Sequence, residues 1–304
     1  MPLKTSAIRA RVRVPCSTSN LGPGFDQLGL ALSLYLDATA RLELDGAPPR
    51  LVAPAGWPAC GDDLVLRAML DVAPELDGQG LVLELASDIP IARGLGSSGA
   101  AVAAGMLLAA ALTGRRESDA QRIARGIRLE GHPDNVTASL LGGLTLCVPT
   151  ERGPVFIQPP VHPSLGFAAA WPDQPFATAA ARAALPRTVP LADAVENARR
   201  IPLLVEGLRS GDGLLIECGA LDRLHEPYRL PLLPGSQEAI AAARSAGAYA
   251  ATLSGSGSAI VAIGPKRLTL AIADAMAAPL AAARGRASAR ALTVVLERPE
   301  VTVG

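Results

Sequence analysis

The feature that most constrains the fold is a glycine-rich loop followed directly by a helix that is apolar on every side. The loop reads GLGSSG at residues 94–99, and the predicted helix spans residues 98–112. A helix with no polar face must be surrounded by protein, because water would otherwise contact its apolar side chains. The segment is shorter than the roughly 20 apolar residues that a membrane span requires. We therefore predict a buried helix inside a soluble, globular fold.

The composition of the loop at residues 94–99 is suited to binding phosphate. Glycines let the backbone approach a ligand closely, and the start of a helix attracts anions. Serine hydroxyls can bond phosphate oxygens or coordinate Mg²⁺. The chain contains only two lysines, Lys4 and Lys266, and neither lies near the loop. A Walker-type loop is therefore excluded, and phosphate charge would be met by Mg²⁺, N–H groups, the helix N-terminus or arginine.

Composition and charge indicate a globular protein without a strongly charged surface. Of the 304 residues, 49% are apolar and 18% are charged, and the formal net charge is zero. That balance argues against nucleic acid or an anionic membrane as the partner, since both usually require a basic face. The first twenty residues lack the continuous apolar segment of a signal peptide. We therefore expect a cytoplasmic protein.

The cysteines indicate neither disulfides nor a zinc site. They are widely spaced, form no Cys-x-x-Cys pair and are accompanied by only three histidines, so reduced thiols are the expected state. The four positions are Cys16, Cys60, Cys147 and Cys218.

Hydrophobic periodicity predicts strands and helices in an order that lacks regular βαβ alternation, which makes α+β the expected fold class. Strands or apolar strand-like runs are predicted at residues 8–14, 28–36, 39–44, 81–85, 143–148, 165–170, 249–253, 259–263 and 292–296. Helices are predicted at residues 63–72, 98–112, 117–130, 191–210, 213–216, 237–245 and 268–283. The proline- and glycine-rich stretch at residues 149–163 is the predicted boundary between an N-terminal domain at residues 1–155 and a C-terminal domain at residues 156–304.

Three further segments carry residue types that are suited to a binding site. Residues 20–26 place two glycines and a proline around Asn20 and Asp26, and residues 254–258 form a second Gly/Ser loop between predicted strands. Residues 130–135 gather an acid, an imidazole, a second acid and an amide just beyond a predicted helix end, so they are the best candidate for the reacting centre. Any one of these segments could be an ordinary turn. Three lysine-free glycine loops in one chain favour phosphate chemistry on a small molecule.

Together these segments resemble the motifs of the GHMP kinase superfamily. The second motif of that family, Pro-x-x-x-Gly-Leu-Gly-Ser-Ser, appears at residues 90–98, and the third appears as SGSG at residues 254–257. The first motif, VPCSTSNLGPGFDQLGLAL at residues 14–32, is similar to the homoserine kinase branch in particular, as is EGHPDNV at residues 130–136. Further matching segments, in chain order, are residues 141–143, 178–186 and 225–235. The resemblance spans essentially the whole chain.

The resemblance implies both a fold and a reaction. The fold is α+β in two domains, with an N-terminal ATP-binding half like ribosomal protein S5 domain 2 and a ferredoxin-like C-terminal half that completes the substrate site. The implied reaction transfers a phosphoryl group from ATP to the hydroxyl group of L-homoserine, a step toward threonine, with ATP and Mg²⁺ as cofactors. The expected partner is this small molecule, not nucleic acid or a membrane, and a homodimer is a candidate assembly.

The resemblance also implies roles for individual residues. The substrate-binding residues are Asn20, Asp26, His132, Arg182 and Arg229. The ATP-binding residues are Pro90, Arg93, Gly94, Leu95, Gly96, Ser97, Ser98, Gly99, Ser254 and Gly255. The metal ligands are Ser98 and Glu130, and the catalytic group comprises Asn135, His132 and Asp134. The chemistry fits, because guanidinium groups suit a carboxylate and a carboxylate suits an ammonium group.

Three positions depart from the family pattern. Gly99 stands where alanine is common, Cys16 where alanine or serine is usual, and Ser258 where proline is common. None of these departures removes a proposed ligand. The role of Asp134 stays open, because some members of the superfamily are thought to use an aspartate as a base and homoserine kinases are thought to lack one.

Two alternative functions stay open at this level. One is a superfamily member that phosphorylates another alcohol, such as mevalonate or a diphosphocytidyl methylerythritol. Those substrates lack an amino-acid end, so the pair Arg182 and Arg229 together with Asp26 argues against them. The other is a catalytically silent relative that binds ATP or an amino acid as a sensor, and the complete set of proposed metal and phosphate residues argues against that.

Overall fold

The computed structural model describes residues 8–59 and 62–304, so Cys60 lies outside the described residues. The strands are β1 (Arg9–Asn20), β2 (Gly24–Leu42), β3 (Arg50–Val52), β4 (Leu81–Ser87), β5 (Leu144–Val148), β6 (Val155–Ile157), β7 (Leu165–Pro172), β8 (Ala250–Leu253), β9 (Ile260–Pro265), β10 (Ala287–Leu292) and β11 (Val301–Val303). The α-helices are α1 (Leu64–Val72), α2 (Ser97–Thr113), α3 (Asp119–Glu130), α4 (Asp134–Leu141), α5 (Thr178–Ala183), α6 (Leu191–Ser210), α7 (Gly213–Gly219), α8 (Glu226–Arg229), α9 (Ser236–Ser245) and α10 (Thr269–Arg284).

The first sheet is built around the long strand β2. This strand of 19 residues pairs antiparallel with β1, then with β4 through residues 36–42 and with β5 through residues 28–30. The order across the sheet is β11-β1-β2-β4-β3, and β6 is added on β5. The pairing of β1 and β2 shifts register at Pro15/Cys16, within β1, and again at Ser19/Asn20, beside the connecting turn. Such irregularities re-aim side chains beside a binding site.

Helix α2 is buried against the first sheet, as its sequence predicts. It packs against β1 and against helices α1, α3 and α4. Thirteen of its 17 residues are buried, which leaves no solvent-facing stripe. The helix begins at Ser97, so the predicted glycine loop lies at its N-terminus. No helix in the described part of the chain combines the length and apolar character that crossing a membrane requires.

The second sheet follows the order β10-β7-β9-β8 and is antiparallel throughout. Side chains on successive strand residues point to opposite faces. One set, including Ala168, Ala170 and Ile260, packs with α9 and α10. The other set, including Phe167 and Val261, joins the main core. Two mixed layers of strands and helices confirm the α+β class.

Both sides of the predicted domain boundary contribute to the first sheet. Strand β6 continues that sheet beyond residue 155, and β11 returns to it near the C-terminus. The division between residues 155 and 156 stays a prediction.

Two local predictions are wrong. The segment at residues 20–26, predicted as a glycine loop, is a turn only between Asn20 and Gly24, and residues 24–26 belong to β2. The polar residues 17–20 before it form the end of β1, and their side chains are buried and hydrogen-bonded inside the protein. The strand predicted at residues 292–296 lies instead at Ala287–Leu292. That strand is at the edge of the second sheet, where one face is exposed and the apolar alternation is weak.

We expect the substitution Gly105→Ala to destabilise the protein by about 1–3 kcal/mol through overpacking. Alanine is the better helix former by about 1 kcal/mol, so propensity alone predicts the opposite sign. However, a Cβ at residue 105 would lie 2.2 Å from the carbonyl oxygen of Val65. Denaturant unfolding measures the change. The control Ala111→Gly, on a half-buried part of the same helix, should cost about 1 kcal/mol. A stabilised Gly105→Ala variant would contradict the close packing of α1 and α2.

Candidate active site

One cavity of about 240 Å³ brings together segments that are far apart in the sequence. It is bordered by the β1–β2 turn, the loop before α2, the start of α4, and residues from α5, α8 and the loop after β8. The predicted site residues that line it are Asn20, Asp26, Gly94, Gly96, Ser97, Ser98, His132, Asp134, Asn135, Arg182, Arg229 and Gly255. The predicted residues that do not line it are Pro90, Arg93, Leu95, Gly99, Glu130 and Ser254.

Glycine is required in the loop before α2, because the backbone there is both left-handed and crowded. Gly94 has a φ of 81°, and a Cβ on it would lie 2.1 Å from the carbonyl oxygen of Ser254. Gly96 has a φ of 68°, and a Cβ on it would lie 2.2 Å from Ser17 Oγ. The first N–H groups of a helix have no partner within it. Those of α2 are therefore presented beside Ser97 and Ser98, where they suit an anion.

The two glycine loops are hydrogen-bonded to each other. Ser254 Oγ donates to the carbonyl oxygen of Gly94 at 2.6 Å, and the N–H of Ala259 donates to the carbonyl oxygen of Arg93 at 2.8 Å. The hydroxyl of Ser254 is therefore already hydrogen-bonded between the two loops, which explains why it does not face the cavity. The guanidinium of Arg93 bonds the carbonyl oxygens of Ile91 and Asp173.

The predicted reacting centre is a hydrogen-bonded group at the start of α4. His132 Nδ1 lies 2.9 Å from Asp134 Oδ1, and that same oxygen accepts from the backbone N–H of Asn135 at 2.7 Å. Asn135 is clamped by two serines: Ser17 Oγ donates to its Oδ1 at 3.0 Å, and its Nδ2 donates to Ser19 Oγ at 3.1 Å. Such bonds fix the orientation of the amide before any ligand arrives.

Asp134 governs the charge state of His132. Burial lowers the pKa of His132, but the hydrogen bond and negative charge of Asp134, together with the charge of Glu130, raise it above its ordinary value. The side chain of Asp134 is only 3% exposed. A carboxylate already engaged with an imidazole and an amide is better suited to orient them than to collect a proton.

Charged groups of both signs meet around Phe25 at another part of the cavity. Arg182 forms a bidentate ion pair with Asp26, with N–O distances of 2.8 and 3.0 Å. The guanidinium groups of Arg182 and Arg229 lie 5.8 and 5.2 Å from the centre of the Phe25 ring. Arg229 is 2% exposed and bonds only neutral acceptors, among them the carbonyl oxygens of Ala181 and Gly255. Among the ion pairs of the described residues, none involves Arg229.

A buried cation without a carboxylate partner is costly, which points to an anionic ligand. Burial lowers the pKa of Arg229, and the positive charge of Arg182 adds to that effect. A carboxylate placed between the two guanidinium groups would relieve both penalties. The region around Phe25 is therefore suited to a ligand that carries a carboxylate.

Asn20 connects the turn of the first sheet to the loop after β8. Its Nδ2 donates to the carbonyl oxygen of Gly255 at 2.9 Å, and its Oδ1 accepts from the N–H of Asp26 at 3.2 Å. Asn20 and Asp26 both have positive φ, at 70° and 54°, a conformation that asparagine and aspartate tolerate better than most residues. The amide thereby fixes the position of the Asp26 carboxylate.

Glu130 and Ser98 fit the hard oxygen ligands that Mg²⁺ prefers. Oε2 of Glu130 is buried and has no hydrogen-bond partner in the described structure. Burial raises the pKa of Glu130 to about 7, although His132 and a hydrogen bond with Ser98 oppose the shift. A cation beside this carboxylate would satisfy the orphaned oxygen. In the described part of the chain, no three His, Cys, Asp or Glu side chains group as a metal site, so phosphate oxygens and water would complete the coordination.

Sequence reasoning missed the aromatic and apolar part of the cavity. Trp57, Pro58 and Leu64 line it, and Nε1 of Trp57 donates to Asp63 Oδ2 at 2.5 Å. Asp63 also caps helix α1 by accepting from the N–H of Leu66. The only signal was a lone tryptophan before a predicted helix, which carries no specific chemistry.

The comparisons with known proteins agree with this geometry. The model for the GHMP kinases N terminal domain matches residues 63–143, and the model for the GHMP kinases C terminal domain matches residues 204–282. A homoserine kinase of Prochlorococcus marinus is 40% identical over 277 residues, which are 87% of this chain and 86% of that protein. A homoserine kinase of Moorella thermoacetica is 39% identical over 83% of this chain and 86% of its own.

Solved structures give the same result. The homoserine kinase of Cytophaga hutchinsonii matches with a TM-score of 0.85 and 28% identity over 99% of both chains. The mevalonate kinase of L. major matches with a TM-score of 0.67 at 18% identity, which shows a shared fold. The fold and the relatives are those of a small-molecule kinase. The chain belongs to the GHMP kinase family, within the branch of the homoserine kinases.

We expect Glu130→Gln to stabilise the metal-free protein at pH 8 and to have little effect near pH 4.5. The folded-state pKa of about 7 lies above the ordinary value of 4.5, so the protonated carboxyl stabilises the fold at low pH. That stability is lost as the pH rises through 7, by about 1–3 kcal/mol. Thermal or urea unfolding in chelator measures it. The exposed Glu151→Gln is the matched control, and a difference that does not vary with pH would contradict the buried, unpartnered carboxylate.

Proposed function

We propose that this protein phosphorylates the side-chain hydroxyl of L-homoserine with ATP, forming O-phospho-L-homoserine and ADP on the route to threonine. The observation that carries the proposal is the arrangement of one cavity. A helix N-terminus and glycine loop suited to phosphates lie in the same cavity as Asp26, Arg182 and Arg229, which suit the two charges of an amino acid. The relatives named above support this choice of alcohol.

At the amino-acid end, Arg229 and Arg182 bind the substrate's carboxylate and Asp26 binds its ammonium group. The ion pair between Asp26 and Arg182 suits a zwitterion. Asp26 can share its negative charge with the ammonium group, and Arg182 can share its positive charge with the carboxylate. Arg229 brings a positive charge that has no carboxylate partner in the described structure. Asn20 holds the Asp26 loop in place through Gly255.

At the phosphate end, the N–H groups at the start of α2 and the loop at residues 94–99 bind the β- and γ-phosphates. The loop at Ser254 and Gly255 supports them from the opposite side. Ser98 and Glu130 hold Mg²⁺, which when bound neutralises phosphate charge. Leu95 and Pro90 shape the loop from within the protein and make no direct contact with the cavity.

The nucleoside lies against Trp57, Pro58 and Leu64, which give the cavity an aromatic and apolar wall.

Gly99 stands where the family commonly has alanine, and a Cβ there would lie 2.9 Å from the Cβ of Asn135 and 3.0 Å from Glu130 Oε2. Glycine thus permits the close approach of the metal ligand and the reacting centre in this chain.

Between the two ends, Asn135 and His132 orient the substrate's hydroxyl toward the γ-phosphorus. A bond forms between the hydroxyl oxygen and that phosphorus while the bond from phosphorus to the bridging oxygen of ADP breaks. Phosphoryl transfer depends on positioning and charge neutralisation more than on a strong base, so the hydroxyl proton can leave late, to an oxygen of the transferred phosphoryl group and then to water. Asp134 acts by fixing His132 and Asn135. A cytoplasmic location and a homodimer are further parts of the proposal, resting on composition and on the resemblance.

A coupled assay of ADP release tests the substrate. We expect turnover with homoserine and none above background with mevalonate or shikimate. Absence of ADP release with homoserine would contradict the proposal. Tight ATP binding without turnover would favour the sensor alternative.

Because Arg229 is expected to pair with the carboxylate, Arg229→Gln should raise the KM for homoserine about 100-fold. Arg290→Gln, on the exposed edge strand β10, is the matched control.

Substrate analogues separate the two charges of the amino-acid end. Aminopropanol, which lacks the carboxylate, should react poorly with the wild-type protein and lose nothing further in Arg229→Gln. Hydroxybutyrate, which lacks the ammonium group, should also react poorly with the wild-type protein. Its turnover should fall no further in Asp26→Asn. An additive loss in either pair would contradict the assignment.

Trp57 tests the location of the nucleoside. ATP should change the fluorescence of Trp57, and Trp57→Ala should raise the KM for ATP about ten-fold, because a stacked base is worth about 1–3 kcal/mol. The chain has only two tryptophans, and Trp171 is buried in β7. The ATP-dependent signal should therefore survive in Trp171→Phe. A signal that persists in Trp57→Ala would place the nucleoside elsewhere.

A further inference from the structure

His225 is a buried histidine that contacts the amino-acid end without lining the cavity. It immediately precedes helix α8 and is 0% exposed. Asp222 fixes this turn, because its Oδ2 accepts from the N–H groups of His225 at 2.8 Å and of Glu226 at 2.7 Å. The ring therefore has a defined place next to Arg229, four residues further along the chain.

Both ring nitrogens of His225 have partners, and these partners define its tautomer. Nε2 lies 2.8 Å from the carbonyl oxygen of Gly22, and Nδ1 lies 3.4 Å from Nη1 of Arg229. A carbonyl oxygen can only accept a hydrogen bond, and a guanidinium group can only donate. Nε2 must therefore carry the proton while Nδ1 accepts from Arg229. A doubly protonated ring would point a donor at the guanidinium.

The ring joins the two elements that form the amino-acid end. Gly22 lies in the turn that carries Phe25 and Asp26, and the His225 ring stacks on Phe25 with centroids 5.2 Å apart. Gly22 packs directly against the backbone of Ala220, since a Cβ at this position would lie 2.1 Å from the carbonyl oxygen of Ala220. Only glycine fits where the acceptor of the His225 hydrogen bond lies.

The charged groups that face His225 are Asp222, Arg229 and Asp26. Burial lowers the pKa of His225 and the Arg229 guanidinium adds to the effect, whereas Asp222, the Gly22 carbonyl and Asp26 oppose it. The pKa lies below its ordinary value, which agrees with the neutral ring that the hydrogen bonds require.

We propose that His225 is a positioning residue for the reaction: in its neutral, Nε2-protonated form it orients the Arg229 guanidinium toward the substrate's carboxylate and ties that arginine to the Gly22 turn. This inference rests on the proposed function of Arg229. His225 does not line the cavity and contacts Arg229, so its effect is on recognition of the amino acid and not on ATP or on the chemical step.

The tautomer can be tested on the wild-type protein without any substrate. The chain has only three histidines, so the side-chain spectrum of ¹⁵N-histidine-labelled protein contains few signals, and loss of one set in His225→Asn assigns it. We expect a neutral ring protonated at Nε2 that does not titrate between about pH 6 and 8. A ring protonated at Nδ1, or a charged ring at pH 7, would overturn the proposal.

Kinetics test the role of the ring. His225→Phe keeps the stacking on Phe25 but removes both hydrogen bonds, so we expect the KM for homoserine to rise about ten-fold or more, with kcat and the KM for ATP little changed. In His225→Asn, Oδ1 takes the place of Nδ1 and restores the acceptor for Arg229, so a large part of the rise should be reversed. His162→Phe is the matched control, since His162 is bonded to Ser164 away from the cavity.

A double-mutant cycle shows whether His225 acts through Arg229. In the Arg229→Gln background, His225→Phe should have no further effect on the KM for homoserine. An independent effect in that background, or a His225→Asn variant no better than His225→Phe at equal thermal stability, would overturn the proposal. Wild-type turnover of homoserine, measured first, tests the proposed function separately. If His225→Phe does not fold, the wild-type histidine spectrum still decides the tautomer.

Discussion

The burial of α2 along its apolar length is the constraint on which the rest of the structure depends. A helix that is apolar on all sides must be enclosed, and β1, α1, α3 and α4 enclose it. Once its sides are covered, the unpaired N–H groups at its N-terminus are the part of the helix left to face a ligand. The glycines at positions 94 and 96 then allow the preceding chain to turn tightly against Ser254 and Ser17. The phosphate-binding end of the cavity follows from the packing of one helix.

The amino-acid end depends on backbone carbonyl groups that serve several side chains. The carbonyl oxygen of Gly255 accepts from both Asn20 Nδ2 and Arg229 Nη1, and so joins the first sheet to α8. The carbonyl oxygen of Gly22 accepts a hydrogen bond from Nε2 of His225. These acceptors are fixed by the fold and do not vary with the side chain at their own positions. The side chains proposed to bind the substrate are thus positioned by main-chain atoms that sequence motifs do not display.

The sequence predicted the parts of the site that carry unusual composition. The glycine loop, the buried helix and the residues at 130–135 stand out because few other roles require such residues together. The strand at residues 17–20 could not be predicted from pattern, because its serines and threonine are buried and satisfied by Asn135 and Ser254, which are distant in the chain. Trp57 was not noticed, and His225 was noted only as the first residue of the matching segment at residues 225–235. The role of each aromatic ring depends on a partner, Asp63 or Gly22, that only the fold brings near.

Local charges, and not the net charge, suit this chain to the two ligands proposed for it, ATP and a zwitterionic amino acid. The net charge of zero provides no general attraction for ATP or for an amino acid. The described structure instead keeps Arg229 buried with neutral acceptors only and leaves one oxygen of Glu130 unsatisfied. Each of these groups carries an energetic penalty that only a ligand of opposite charge removes. An alcohol without a carboxylate would leave the Arg229 penalty in place. The proposed preference for homoserine over an uncharged alcohol therefore depends on the unpaired charge of Arg229 as much as on the contacts that the site offers.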